Sequence, residues 1–174
     1  MNKIKINLAY CSIILFSAFL LSGCGGYVAT SLLPSYIKKI NISSFINKSF
    51  RPDLPEKINT IVTREFIADG RLTVAGEQDA DAILYGEITN YDLQPLSYSE
   101  QMNVQEYKVR IILSIWIKDV KENKILWQEN NIEVFTTATS STGGLEVKVE
   151  SEAINEVIEK IARKIVRRVI DGWV

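Results

Sequence analysis

The clearest pattern of apolar and polar positions lies between Tyr107 and Val120. Apolar side chains occupy every second position, which predicts a long β-strand with one buried face. The positions expected to be buried are Tyr107, Val109, Ile111, Leu113, Ile115 and Ile117. The second face would carry Lys108, Arg110, Ile112, Ser114, Trp116 and Lys118.

A second strand is predicted to pair with this one as a hairpin. Residues 119–123 form a polar turn, and apolar residues return from Ile125 to Ala138. The polar run at 129–131 predicts a bulge or a break in that strand. Thr, Ser and Gly dominate residues 136–144, which predicts a loop.

Two segments have the 3.6-residue periodicity of an amphipathic helix. The first runs from Leu54 to Asp69, with Asp53 and Glu56 as a capping box and Gly70 as its left-handed end. The second runs from about Ser151 to Gly172, with acidic residues early and basic residues late, as the helix dipole favours. The late basic cluster fits either an anion-binding site or a solvated helix end, and consists of Arg163, Lys164, Arg167 and Arg168.

Shorter strands are predicted within residues 36–47, 71–75 and 82–91, with Pro95 ending the last. The order of elements predicts an α+β two-layer sandwich, with two helices packed on one face of a mixed, mostly antiparallel sheet of about four strands. The other face of the sheet would carry a mixture of charged, polar and aromatic residues. This composition fits either a solvated surface or a protein contact surface, where aromatic residues and arginine are enriched. That contact surface would include Tyr85, Tyr91, Lys108, Arg110 and Trp116.

The first 23 residues have the pattern of a lipoprotein signal peptide. Two lysines precede a 14-residue apolar run, which is shorter than the ~20 residues that cross a bilayer. The run ends in Leu21-Ser22-Gly23-Cys24, which resembles the bacterial lipobox, in which the cysteine thiol receives a diacylglycerol before cleavage. We therefore expect cleavage after residue 23, a lipidated tether at 24–35, and a single domain at 36–174. In enteric bacteria, an aspartate directly after the lipidated cysteine retains a lipoprotein in the inner membrane. This chain has Gly25 at that position, which favours the outer membrane.

The mature chain has few groups suited to catalysis. The chain has no histidine, Cys11 would leave with the signal peptide, and Cys24 would be acylated. We therefore expect no enzymatic activity, no cofactor and no metal. The mature charge of −3, from 18 basic and 21 acidic residues, gives no general attraction for nucleic acid or an anionic membrane surface. An anionic ligand would therefore need a local basic patch.

Seven short segments carry a family resemblance. They are LSGCGGY at 21–27, ISSFINKSF at 42–50, REF at 64–66, ADAILYGEI at 80–88, EYKV at 106–109, KILW at 124–127 and ARKIVRRVIDGW at 162–173. In this order and spacing, over nearly the whole mature chain, they resemble the LptE family of lipopolysaccharide-assembly lipoproteins.

That resemblance implies a function. LptE proteins plug the LptD outer-membrane β-barrel, help it fold and close, and bind lipopolysaccharide during its delivery to the outer leaflet. The family recognises lipid with basic residues in the loop between the second and third sheet strands and just before the last helix. The first loop, at 94–105, has no lysine or arginine here, whereas Lys148 lies in the second segment and is the expected phosphate contact.

Two alternatives of other kinds stay open from the residues alone. Residues 40–90, with DADAILYGEI at 79–88, also resemble the opening of CsgG-like and LpoB-like lipoproteins, which secrete curli subunits or activate cell-wall synthases. The long final hairpin and basic closing helix speak against them. The other alternative is a hydrolase that acts on envelope polymers, and the missing histidine weighs against it.

Overall fold

The computed structural model describes residues 33–139 and 147–172. Within them, two helices lie on one face of a mixed six-stranded sheet, which confirms the predicted α+β sandwich with more strands than the expected four. The elements are β1 (Lys39–Ile42), β2 (Ile46–Asn47), α1 (Leu54–Asp69), β3 (Thr73–Val74), a 3-10 turn (Glu77–Asp79), β4 (Ala82–Tyr98), β5 (Val104–Asp119), β6 (Lys124–Thr139) and α2 (Val147–Asp171). The predicted signal peptide and Cys24 lie outside the described residues.

The sheet has the order β3-β1-β4-β5-β6, with β2 also paired to β4. Strand β1 is parallel to β3 and β4, and β4, β5 and β6 form an antiparallel meander. The extra strands are short. Ser43 and Ser44 divide the predicted first strand into β1 and β2, and the strand predicted at 71–75 shortens to β3.

The core lies between this sheet and the two helices. The alternating face of β5 is buried as predicted, with Val109 and Ile111 fully inaccessible, although Tyr107 at its end stays partly exposed. Both helices turn their apolar stripes to the sheet. The buried positions are Leu54, Ile58, Val62 and Phe66 of α1, and Ile154, Val157, Ile158, Ile161, Ile165 and Val169 of α2.

Of the two predicted ends of α1, the carboxyl end is confirmed and the amino end is not. Gly70 has φ 73° and its N–H donates to the Phe66 carbonyl at 3.1 Å, which confirms the predicted left-handed end. The capping box is wrong, because Asp53 has helical dihedral angles and makes no side-chain cap hydrogen bond. Its carboxylate instead pairs with Lys57, one turn further on, at 2.9 Å.

Strand β4 continues through Pro95 to Tyr98, so the prediction that Pro95 ends it is wrong. Among the described residues, β1 and β2 pair with β4 only as far as Ile88, and beyond that point β4 is an edge strand. A proline is tolerated on an edge strand, where its missing N–H need not cost a ladder hydrogen bond. Helix α2 also begins earlier than predicted, at Val147.

The bulge predicted in β6 is confirmed. Leu113 pairs with Ile132, whereas Ile115 pairs with Glu129, so the register shifts between them. Asn131 has φ 56°, a left-handed conformation that asparagine accepts more readily than most residues. The shift brings Glu129 to the helix side, where it meets Arg168 of α2 at 3.4 Å.

The two helices run side by side in the same direction and give the domain two distinct ends. Arg51 meets Glu150 at 3.0 Å near their first turns, and Arg71 pairs with Asp171 at their last turns. The described chain begins at Leu33 beside Asp171, and we call this the proximal end. The distal end carries the β4–β5 turn and the start of α2. A helix of 25 residues spans about 37 Å.

Candidate functional site

The face of the sheet that carries neither of the described helices, which we call the helix-free face, has an aromatic pair on two neighbouring inner strands, near the proximal end. The rings of Tyr85 on β4 and Trp116 on β5 are directly paired in register and stack with centroids 5.6 Å apart and an interplanar angle of 12°. Both side chains are partly exposed. The pair therefore offers a flat, amphipathic contact surface of the type enriched in protein interfaces.

A charged cluster lies on the same face toward the distal end. Arg110 donates to Asp92 at 2.7 Å and lies 3.8 Å from Glu133, which is also 3.5 Å from Lys108. The Lys108 ammonium stands 4.1 Å from the centroid of the half-exposed Phe135 ring. Because carboxylates balance the cations within the cluster, this surface is polar without carrying a large net charge.

Tyr91 does not lie on the helix-free face, so its predicted place there is wrong. A register shift between Ile88 and Asn90 moves the following side chains to the opposite face of the sheet, and Tyr91 pairs with the buried Ile111. The Tyr91 hydroxyl donates to Glu150 of α2 at 2.6 Å, and burial together with this hydrogen bond raises the pKa of Tyr91. The sequence gives no sign of this shift, because Tyr91 keeps the regular two-residue spacing from Tyr85.

The distal end brings together the two segments that the family resemblance implicates in lipid binding. The β4–β5 turn closes with a hydrogen bond from the Ser99 N–H to the Asn103 carbonyl at 2.8 Å. Three apolar side chains project around it, with Leu96 47%, Tyr98 52% and Met102 77% exposed. These residues were not predicted as contacts, because the family resemblance implies basic residues in this loop. Their signal in the sequence is the occurrence of three apolar residues close to a turn.

Lys148 lies at this same end, in the first turn of α2 rather than in a loop before it. The bond from Tyr91 to Glu150 ties that turn to β4, and Glu106 pairs with Thr139 to hold the end of β6 alongside. The described backbone therefore places Lys148 at the same end of the domain as the exposed apolar turn.

The basic cluster predicted on the second helix lies on the exposed side of α2. With Lys160 it forms a surface that we call the α2 basic surface, made of Lys160, Arg163, Lys164, Arg167 and Arg168. All five residues belong to one helix, so they form an exposed surface and not an enclosed pocket. Asp171 and Gly172 border it at the proximal end.

Two aspartates fasten the first described residues to the sheet at the proximal end. Asp119 is fully buried and accepts hydrogen bonds from the Tyr36 hydroxyl and the Glu122 N–H, the latter at 3.0 Å. Asp81 accepts the backbone N–H groups of Lys38 and Lys39, each at 2.9 Å. These bonds lower the pKa of both carboxyl groups, and the bond to Asp119 raises the pKa of Tyr36 to about 12.

Replacing Asp119 with asparagine should lower the thermal midpoint at neutral pH, because the buried carboxylate would lose its charge-assisted hydrogen bonds. A carboxyl group whose pKa is lowered by folding stabilises the fold above its ordinary pKa of ~3.9 and loses that effect as the pH falls. The difference between wild type and D119N should therefore shrink in acid. Thermal melts across a pH series test this, and a constant difference would contradict the assignment.

The described residues contain no group of three or more His, Cys, Asp or Glu side chains arranged to hold a metal ion. In the described parts of the chain, no helix combines the length and the apolar character needed to cross a membrane.

A comparison with known families assigns most of the chain to one of them. The family model LptE, described as lipopolysaccharide-assembly, matches residues 37–169 and so covers nearly all of the described domain. A search of curated proteins finds no match.

Solved structures share the fold at low sequence identity. A protein of Xanthomonas campestris superposes with a TM-score of 0.56 at 12% identity, covering 80% of this chain and 90% of its own. The lipoprotein B of Nitrosomonas europaea gives 0.54 at 18% identity, with 79% and 83% covered. A minor lipoprotein of Acinetobacter baumannii gives 0.53 at 18% identity, with 78% and 92% covered. At these identities the likeness concerns the fold alone.

Proposed function

The chain belongs to the LptE family of lipopolysaccharide-assembly proteins, and from that premise we propose that it is a lipid-anchored outer-membrane protein that plugs an LptD-type β-barrel and binds lipopolysaccharide. It would help the barrel assemble and would hold the lipid during delivery to the outer leaflet. The role needs no catalysis and no cofactor. Family membership favours this function over the CsgG-like and LpoB-like alternatives.

The helix-free face is the observation that carries the plug proposal. The lumen of an outer-membrane barrel is polar, so a plug needs a surface that tolerates water and matches the wall in shape. The ion pairs around Arg110 and Glu133 neutralise the charges of this face internally, and the stack of Tyr85 on Trp116 supplies a rigid aromatic contact. Strands of 16 residues extend this surface over roughly 50 Å.

The distal end is the part of the domain best suited to lipopolysaccharide. Exposed Leu96, Tyr98 and Met102 offer apolar contacts for acyl chains, and Lys148 would offer a charge for a phosphate. The proximal end is where the chain leads back toward Cys24. With that cysteine acylated, the anchor and the proposed lipid-binding end would lie at opposite ends of the domain.

The direct test is a pull-down from native outer membranes in mild detergent, through a C-terminal tag, with the partners identified by mass. We expect a large barrel protein in stoichiometric amount. Recovery of a cell-wall synthase, or of the protein alone, would overturn the plug proposal.

Replacing Trp116 with alanine should weaken barrel recovery at least about thirtyfold, because a tryptophan that packs in an interface commonly contributes ~2 kcal/mol or more. The thermal midpoint should change little, since the side chain is partly exposed. Phe50→Ala is the matched control, because Phe50 is 97% exposed and lies between β2 and α1, outside the long strands β4, β5 and β6. Equal barrel recovery with W116A and F50A would count against the helix-free face as the contact.

Replacing Lys148 with glutamate should weaken lipopolysaccharide binding by the purified protein roughly tenfold at low salt and less at high salt. Lys121→Glu makes the same charge change in the exposed β5–β6 turn at the proximal end and should have little effect. Binding measured by fluorescence at two salt concentrations tests this. A loss independent of salt, or an equal loss with K121E, would remove Lys148 from the site.

A further inference from the structure

The α2 basic surface carries more positive charge than its surroundings neutralise. Lys160 meets Glu156 at 2.7 Å and Arg163 meets Glu159 at 3.6 Å, both one turn back along the helix. Among the described residues, no carboxylate lies within ion-pair distance of Lys164 or Arg167. An excess of positive charge therefore remains on a mature chain whose formal charge is −3.

Stability of the helix does not account for this excess. Favourable interaction with the helix dipole is confined to the last turn, whereas Lys160, Arg163 and Lys164 lie earlier. Like charges four residues apart repel each other, as in Lys160 with Lys164 and Arg163 with Arg167. An anionic partner would relieve this repulsion.

The position of the surface indicates which anion it meets. Asp171 borders both the α2 basic surface and the cleft in which Leu33 and Pro34 lie. Cys24 precedes Leu33 by nine residues, which in any conformation span at most about 32 Å. If Cys24 is acylated, Leu33 lies within about 32 Å of the membrane that holds the acyl chains, so the basic surface beside it can reach that membrane.

We propose that the α2 basic surface docks on the anionic phospholipid headgroups of the leaflet that holds the acyl anchor. Arginine side chains bind phosphate oxygens in a bidentate manner, and lysine ammonium groups add point charges. Each basic residue at an anionic surface strengthens binding about fivefold. Docking through this surface would fix the orientation of the domain on the membrane. The proposal rests on the lipid anchor in the proposed function and does not depend on the barrel.

Vesicle flotation tests the proposal with the whole mature chain from residue 24, carrying Cys24→Ser so that no acyl chain contributes. The vesicles contain phosphatidylcholine alone, phosphatidylcholine with phosphatidylglycerol, or phosphatidylcholine with lipopolysaccharide. We expect salt-sensitive binding to the phosphatidylglycerol vesicles and little to phosphatidylcholine alone. The double variant Lys164→Gln and Arg167→Gln should bind roughly thirtyfold more weakly, since two charges are removed.

The matched control is the double variant Lys48→Gln and Lys57→Gln, which removes the same charge from the segment before α1 and from its first turn. It should bind almost as wild type, and both doubles should keep the wild-type thermal midpoint. An equal loss in both doubles would show attraction by overall charge and overturn the proposal. So would binding confined to the lipopolysaccharide vesicles, or no binding to phosphatidylglycerol. The anchor is checked separately by the mass of Cys24, and the plug by the pull-down.

Discussion

Replacing Ile111 with aspartate should destabilise the domain by more than about 4 kcal/mol, because it removes a buried side chain and forces a carboxylate into the core. Ile111 is 0% exposed and stands between Tyr91 on β4 and Val134 on β6. Since small domains are stable by only ~5–15 kcal/mol, this loss is a large fraction of the total free energy of unfolding and should lower the urea midpoint strongly. Urea unfolding followed by circular dichroism measures the loss.

The neighbouring position provides the control on the same strand. Ile112 lies on the helix-free face and is partly exposed, so the carboxylate of an aspartate at this position remains hydrated. Ile112→Asp should cost only about 1 kcal/mol, including repulsion from Glu133 directly opposite on β6. If the two variants lose equal stability, the assignment of the two faces of β5 is wrong.

Replacing Cys24 with alanine should abolish membrane anchoring, because the thiol that would carry the diacylglycerol is gone. Each buried CH₂ of an acyl chain contributes ~0.8 kcal/mol, so losing two or three chains removes an anchor that salt does not weaken, unlike the electrostatic docking of the α2 basic surface. After a high-salt wash, fractionation of cells that lack the barrel partner should find the variant in the soluble periplasmic fraction.

The control is Cys11→Ala, since that cysteine lies within the expected signal peptide and should not affect anchoring. Mass spectrometry of the wild-type amino terminus should find acyl chains on residue 24. A C24A variant that stays membrane-bound at high salt without its partner would contradict the lipobox interpretation.

Sequence pattern was sufficient for the parts of the fold where one face is buried over many residues. Strand β5 alternates between buried and partly exposed residues from Val109 to its end, and α1 and α2 keep their apolar stripes over several turns, so the pattern of burial predicts all three elements. The strand beyond Pro95 was missed because edge position, which decides whether a proline is tolerated, is a property of the whole sheet. The Asp53 carboxylate pairs with Lys57 instead of capping α1. The capping pattern in the sequence does not show which of these two interactions forms.

The functional surfaces show the same division. The neighbours Tyr85 and Trp116 could be assigned to one face from strand alternation, and the structure adds that their rings stack. Tyr91 could not be assigned in this way, because a single-residue shift at a bulge reverses the direction of the side chains that follow it, here from Asn90 to Pro95. The pairing of both basic and acidic groups around Arg110 depends on three strands and has no counterpart in any one segment of sequence.

The parallel course of the two helices has a consequence for assembly. Because α2 ends where the described chain begins, Leu33 and Gly172 both lie at the proximal end. The described chain therefore begins and ends at the same end of the domain, and the β4–β5 turn and the first turn of α2 lie at the other end. Such a domain can enter a closed lumen with its distal end first. A tag joined after α2 would lie at the proximal end and leave the distal end unobstructed.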